Sequence, residues 1–142
     1  MAQQSSLLIL DTHIWFWWVI NDPKLPSNIA QAIEADGQSV AIASISIYEL
    51  VLLIQKGRIV IDLPLEEWLY EATVTTGIKI LETNPIIARQ AALLPFHHGD
   101  PLDRIIIATA LIHDARVASV DTQFPAYEVL QGRLLNGKKD NV

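Results

Sequence analysis

Short apolar runs alternate with helix signals along the whole chain, and this alternation restricts the fold more than any other feature of the sequence. Leu7–Leu10 (LLIL) follows the polar residues Gln3 to Ser6 and stops at Asp11. An all-apolar run of that length suits a strand buried on both faces. Residues 40–43 (VAIA), 78–81 (IKIL) and 117–120 (VASV) repeat the pattern. Between them lie helix signals. A helix follows Asp11; Ser27 caps another over 27–36, with Ile29, Ala32 and Ile33 on one face and Gly37 ending it. Ser44 or Ser46 opens a helix through Leu50, Leu53 and Ile54 to Lys56, stopped by Gly57. Pro64 starts one containing Leu65, Trp68, Leu69 and Ala72, which ends by Gly77. Asn84 with Pro85 supplies a cap and a first-position proline for a helix to about Leu93, closed by Pro95, and Pro101 begins a strongly apolar helix to His113 or Asp114. Residues 127–130 add an edge strand. The expected fold class is α/β, with a central parallel sheet of four to five short strands and helices on both faces. It forms a single domain over 1–142, with frayed tails at 1–6 and 137–142.

Composition narrows the function classes. Hydrophobic residues make up 51% and charged residues 18%, too apolar for a disordered chain. A chain of 142 residues buries roughly 68% of its unfolded surface and needs no staple to hold a core. The absence of Cys excludes disulfides, a thiol nucleophile and a Cys-ligated zinc. The longest apolar run, IWFWWVI from Ile14, has seven residues, far short of a membrane span. The first ten residues carry no basic segment of the signal-peptide kind, so the expected location is the cytoplasm. Ten Lys and Arg against sixteen Asp and Glu give a net charge of −6, opposite to the usual footprint of a nucleic-acid binder.

The acids fall at particular places. Asp11 follows the first strand directly, Glu49 lies in the first turns of the helix after VAIA, Asp100 and Asp103 open the apolar helix, and Asp121 follows VASV. Ends of strands and starts of the following helices lie together at the carboxyl edge of an open parallel sheet, where ligands bind. Each acid also has an ordinary local role. Ser46-x-x-Glu49 matches a capping box, Asp100-Pro101-Leu102-Asp103 matches a helix start, and Asp11 and Asp121 suit caps or Asx turns. Jointly those roles explain less. Like charges converging to about 5 Å cost on the order of 3 kcal/mol per pair at an effective dielectric near 20, which calls for protonation or a bound cation. Oxygen-only donors suit hard divalent ions, and such ions suit attack of water on a phosphodiester.

The order LLILDTHIWFW, SISIYELVLLIQKGRI, HHGDPLDRIIIATAL, VASVDTQF resembles the PIN-domain ribonucleases, especially the VapC-type toxins of bacterial toxin–antitoxin pairs. The resemblance runs from about Leu7 to Leu130, and HGDPLDRIIIATA is its most specific piece. It implies a PIN-like fold, an acidic cluster binding Mg²⁺ or Mn²⁺, endonucleolytic cleavage of RNA, a cognate antitoxin and a homodimer. It places the catalytic and metal-binding acids on Asp11, Glu49, Asp103 and Asp121, with Asp100 auxiliary. Asp11 and Asp103 hold the first ion in this assignment, and Glu49 and Asp121 assist. Thr12 and Thr122 are candidates to orient carboxylates or water.

Other residues carry two readings each. His97 and His98 beside Asp100 are metal ligands or solvated loop residues, and His13 contacts a phosphate, holds Asp11, or sits in the first helical turn. Arg104 binds phosphate or carboxylate, or makes a surface ion pair. Trp15, Phe16, Trp17 and Trp18 crowd one short helix: either one ring faces a partner, or flanking helices bury all four. Two rival functions stand beside the nuclease, a non-catalytic RNA- or protein-binding module and an aspartate phosphoacceptor. The latter lacks the second Asp two residues on, where His13 stands, and has Lys79 within a strand rather than at its end. If the five acids form one site, eleven acids and ten bases remain elsewhere, and two divalent ions would bring −6 to −2. The expected crevice repels RNA without divalent ion and binds it with one.

Overall fold

The computed structural model describes residues 7–95 and 99–137, so His97, His98 and the tails 1–6 and 138–142 lie outside the described residues. Five strands, β1 Leu7–Leu10, β2 Ser39–Ala43, β3 Lys79–Leu81, β4 Arg116–Ser119 and β5 Leu134–Asn136, form one sheet in the order β3-β2-β1-β4-β5. Every neighbouring pair is parallel. Ile9 lies between Ala41 of β2 and Val117 of β4, at the centre of the sheet. The chain builds outward from β1 through β2 to β3, then returns to the other side of β1 for β4 and β5. That reversal puts the crevice of an open α/β sheet beyond the carboxyl ends of β1 and β4.

Side chains along each strand alternate between two cores. Leu8, Leu10, Ile42 and Ala118 join one core with helices α1 Thr12–Ile20, α2 Ser27–Ile33, α3 Ile45–Gln55 and α4 Leu65–Tyr70. Ile9, Ala41, Ala43 and Val117 join the other, covered by α6 Pro101–Ile112 and the segment after β4. Helix α5 Pro85–Leu93 packs on α6, where Ile87 and Ala91 bury against Ala108. Helices therefore lie on both faces, as the buried strands require.

Local chemistry explains the boundaries. Asn84 caps α5 by accepting from the Ile87 N–H at 2.9 Å, with Pro85 at the first helical position. Helix α3 ends in a Schellman motif. Gly57, at φ +73°, donates to the Ile54 carbonyl at 3.0 Å, and Arg58 donates to that of Leu53 at 2.9 Å. The helix after Pro26 and the segment after β4 differ from the sequence reading. Ser27 is the first residue of α2 rather than its cap, because Pro26 holds the cap position, and the helix ends at Ile33. Residues 127–130 are not a strand. Phe124, Tyr127 and Leu130 are buried at a spacing of three, which is the period of the 3₁₀ turns that carry them, Phe124–Ala126 and Glu128–Leu130. The edge strand is β5, only three residues long.

The aromatic helix α1 divides its rings. Trp15 and Phe16 are buried, both packing on Trp68 at 6.0 and 5.7 Å between ring centroids. A π-helical turn at Glu71–Thr75, continuing α4, leaves the Ala72 carbonyl to accept from the Trp15 indole N–H at 3.1 Å. Trp17 and Trp18 stay partly exposed, so the reading in which all four rings are buried does not hold.

Candidate functional site

Asp11 leaves β1 in extended conformation, at φ −69° and ψ 172°, and becomes the N-cap of α1, its Oδ1 accepting from the Ile14 N–H at 2.9 Å. Its backbone N–H donates to the Ala118 carbonyl at 3.1 Å, tying it to β4. Its other oxygen, Oδ2, accepts from the buried Ser119 hydroxyl at 2.5 Å. The Ser119 Oγ in turn accepts the Asp121 N–H at 3.0 Å. One hydroxyl at the end of β4 thus couples the first and last acids. Asp121 makes its own Asx turn, its Oδ1 accepting from the Gln123 N–H at 2.7 Å. Asp100 caps α6 by accepting from the Leu102 N–H at 2.9 Å, and Asp103 stands in the first turn of that helix.

Glu49 does not close a capping box with Ser46. Ser44 enters the helix at φ −56° and ψ −30° while its N–H donates to the Leu81 carbonyl of β3, so α3 begins one residue before Ser46 and leaves that side chain inside it. The Ser46 hydroxyl is buried and has no hydrogen-bond partner among the described residues. Glu49 Oε1 instead accepts the Thr12 hydroxyl at 2.5 Å.

These residues line one concavity of about 230 Å³, whose walls include Asp11, His13, Glu49, Asp100, Asp103 and Asp121. Within it, carboxylate oxygens of Glu49, Asp100 and Asp103 lie within 4.8 Å of one another. The electrostatic consequence is large. Burial, followed by the charges of Asp100, Asp121, Glu49 and Asp11, pushes the Asp103 carboxyl up to about 8 from 3.8. Burial raises Asp11 to about 6, against the lowering effect of its Ser119 and Ile14 hydrogen bonds. Several carboxylates around a small concavity form a donor set that fits a hard, oxygen-seeking divalent cation, and charge from such an ion is what this field lacks.

Arg104 is not a residue of the helix surface. It is 5% exposed, and its guanidinium donates to the carbonyls of Ala91, Leu94 and Pro95 at 2.7–2.8 Å, with Ala92 at 3.3 Å. It closes the C-terminal end of α5, whose last carbonyls have no helical partner. Ser119 is the site residue that sequence reasoning missed. Its signal was a single hydroxyl in an otherwise apolar buried strand, since such a group needs a hydrogen-bond partner.

The sequence profile of the PIN domain matches residues 8–130. The chain is 32% identical over 123 residues to the ribonuclease VapC22 of Mycobacterium tuberculosis, covering 86% of this chain and 92% of that protein. Among solved structures, VapBC2 from Rickettsia felis bound to a DNA fragment from its promoter superposes with a TM-score of 0.69 at 18% identity, over 93% of this chain and 99% of that one. A toxin–antitoxin complex from Klebsiella pneumoniae gives 0.64 at 18% identity, over 93% and 98%.

Proposed function

The chain belongs to the PIN domain family, and from that premise we propose that it is a divalent-metal-dependent endoribonuclease, the toxin of a toxin–antitoxin pair. The observation that carries the proposal is the crevice at the sheet reversal. Five carboxylates line it, and burial, reinforced by the charges of the other four, pushes the Asp103 carboxyl up to about 8. The similarity to a ribonuclease and to a toxin–antitoxin complex supports the choice of RNA over other phosphodiesters and of an antitoxin as partner.

Asp11, Glu49, Asp103 and Asp121 are the catalytic acids. Glu49, Asp100 and Asp103, whose oxygens lie within 4.8 Å of one another, would hold the ion, so Asp100 takes a fuller part than the auxiliary one expected of it, and Asp11 and Asp121 assist from the crevice wall. Mg²⁺ or Mn²⁺ bound there supplies activation of water and charge neutralisation at the phosphodiester. The chain's own groups prepare the crevice. Ser119 and the Ile14 N–H fix both oxygens of Asp11, which keeps the carboxylate in one orientation at the crevice wall. Thr12 holds Glu49 in the same way. Release of the proton from Asp103 converts it from a neutral acid into an anionic donor, so ion binding and deprotonation occur together. As the toxin of such a pair, the protein would act in the cytoplasm and as a homodimer. Among the described residues no helix is long and apolar enough to cross a membrane.

The test is cleavage of single-stranded RNA by the purified chain with Mg²⁺, with excess chelator, and with Mg²⁺ restored. Activity lost and regained in step supports the proposal, provided that Asp103→Asn folds and is inactive. An active Asp103→Asn protein, or cleavage indifferent to chelator, refutes it.

A further inference from the structure

Beside the acidic crevice lies a larger cavity of about 740 Å³, with Trp17, Lys24, Pro26, Val120, Thr122 and Pro125 in its walls. Val120 belongs to the walls of both. A second connection is aromatic: the ring of His13, in the crevice wall, lies 5.9 Å from that of Trp17, in the cavity wall, tilted by 57°. Gly137 belongs to the cavity wall, and its N–H donates to the Ser119 carbonyl at 3.2 Å. A Cβ at Gly137 would stand 2.6 Å from both Pro26 Cγ and Val120 Cγ1, so only glycine lets β5 end against this wall. The two cavities differ in character. One is ringed by carboxylates; the other is built from proline and tryptophan faces, with Lys24 as its charged residue.

We infer that the larger cavity receives a nucleobase of single-stranded RNA whose backbone crosses the acidic crevice, a reading that rests on the nuclease function proposed above. A phosphodiester seated among the acids places its neighbouring base beyond one side of the crevice, and Val120, the apolar residue of the crevice wall, is the residue shared with the larger cavity. Planar and proline faces hold an unstacked base regardless of its identity, and the Thr122 hydroxyl and the Asn136 amide supply polar groups for a base edge. Lys24, an exposed residue of the cavity wall, carries the charge that a flanking phosphate requires. The charge balance points the same way. With eleven acids and ten bases outside the site, extended phosphate contacts are few, so substrate affinity must draw on base contacts. The volume lies within the roughly 300–1,000 Å³ of pockets that hold small ligands.

The experiment is an abasic scan of a short single-stranded oligouridylate, cleaved with Mg²⁺ by the wild-type chain and by Trp17→Ala, Trp17→Phe and Lys24→Glu. One abasic position next to the scissile bond should lower wild-type kcat/KM by about 5- to 100-fold. Trp17→Ala should lose a similar factor on the intact strand and show no further loss at that position, while Trp17→Phe keeps the dependence. Because Trp17 packs partly against the core, Lys24→Glu provides a variant at an exposed residue, and it should raise KM with kcat unchanged. Irradiation of the same strand carrying 4-thiouridine should cross-link within residues 17–26 or 120–125, a readout that needs no turnover. Cleavage with a flat abasic profile and cross-links elsewhere overturns the base site. So does a Trp17→Ala protein with the wild-type profile, the result expected if the cavity instead receives an apolar side chain of a protein partner. Cross-links in those segments without cleavage keep the base site and overturn the nuclease.

Discussion

Replacing Asp103 with Asn should stabilise the metal-free protein while abolishing its activity. The unfolded chain releases the Asp103 proton near pH 3.8, whereas the folded chain retains it to about pH 8. Between those values the folded state binds the extra proton, so stability is present at acid pH and falls as pH rises, levelling off above about 8. Carried from pH 3.8 to 7, that difference amounts to about 4 kcal/mol at 1.36 kcal/mol per pH unit. Asp103 is only partly buried, and solvent screening reduces the figure to about 2 kcal/mol. Asn keeps the shape and removes the charge. In chelator at pH 7.5, Asp103→Asn should therefore melt roughly 4–8 °C above wild type for a chain of this size, and the gap should close towards pH 4. Mg²⁺ should raise the wild-type Tm and leave the variant nearly unmoved, because the ion relieves repulsion that the variant no longer has. Thermal melts at the two pH values, with and without chelator, check all of this. A variant no more stable than wild type at pH 7.5 in chelator, or a gap independent of pH, would refute the electrostatic reasoning.

Three further outcomes follow from the hydrogen bonds of single side chains. Ser119→Ala removes the hydroxyl that lowers the Asp11 pKa; the acid limb of the RNA-cleavage pH profile should move to higher pH, and a profile superimposable on wild type would exclude this role. Thr12→Val frees Glu49 from its hydroxyl partner and should lower cleavage by about 10- to 100-fold with an unchanged Tm, as loss of an orienting contact does. Arg104→Ala strips the donors from the end of α5 and empties a buried space; denaturant unfolding should show a loss of about 3 kcal/mol or more, whereas an effect on RNA binding without loss of stability would restore the phosphate reading.

Much of the fold was legible because two kinds of signal are local. An all-apolar run such as LLIL cannot be half-exposed, and Asn84-Pro85 or Asp100-Pro101 specifies a helix start through one side chain and one fixed φ. The parallel sheet followed from the alternation of such segments. Segments below that threshold were not legible. Residues 134–136 are too short to show a strand pattern, and their pairing comes from β4. The 3₁₀ turns at 124–130 share their apolar content with a strand and differ only in the spacing of the buried positions.

The candidate site divides along the same line. By itself the sequence determined that Asp11, Glu49, Asp100, Asp103 and Asp121 stand at strand ends and helix starts, because chain connectivity and cap chemistry put them there. Only the tertiary structure decided what each acid touches. The return of β4 beside β1 sets Ser119 against Asp11, and the approach of α3 to α1 gives Glu49 to Thr12 rather than to the Ser46 cap. Packing of α5 on α6 directs Arg104 to the carbonyls at the end of α5. These contacts join residues 37, 108 and 13 positions apart in the chain. The physical reason is that caps and turns act over three or four residues, whereas such pairings are fixed by the packing of strands and helices that burial of the whole core selects.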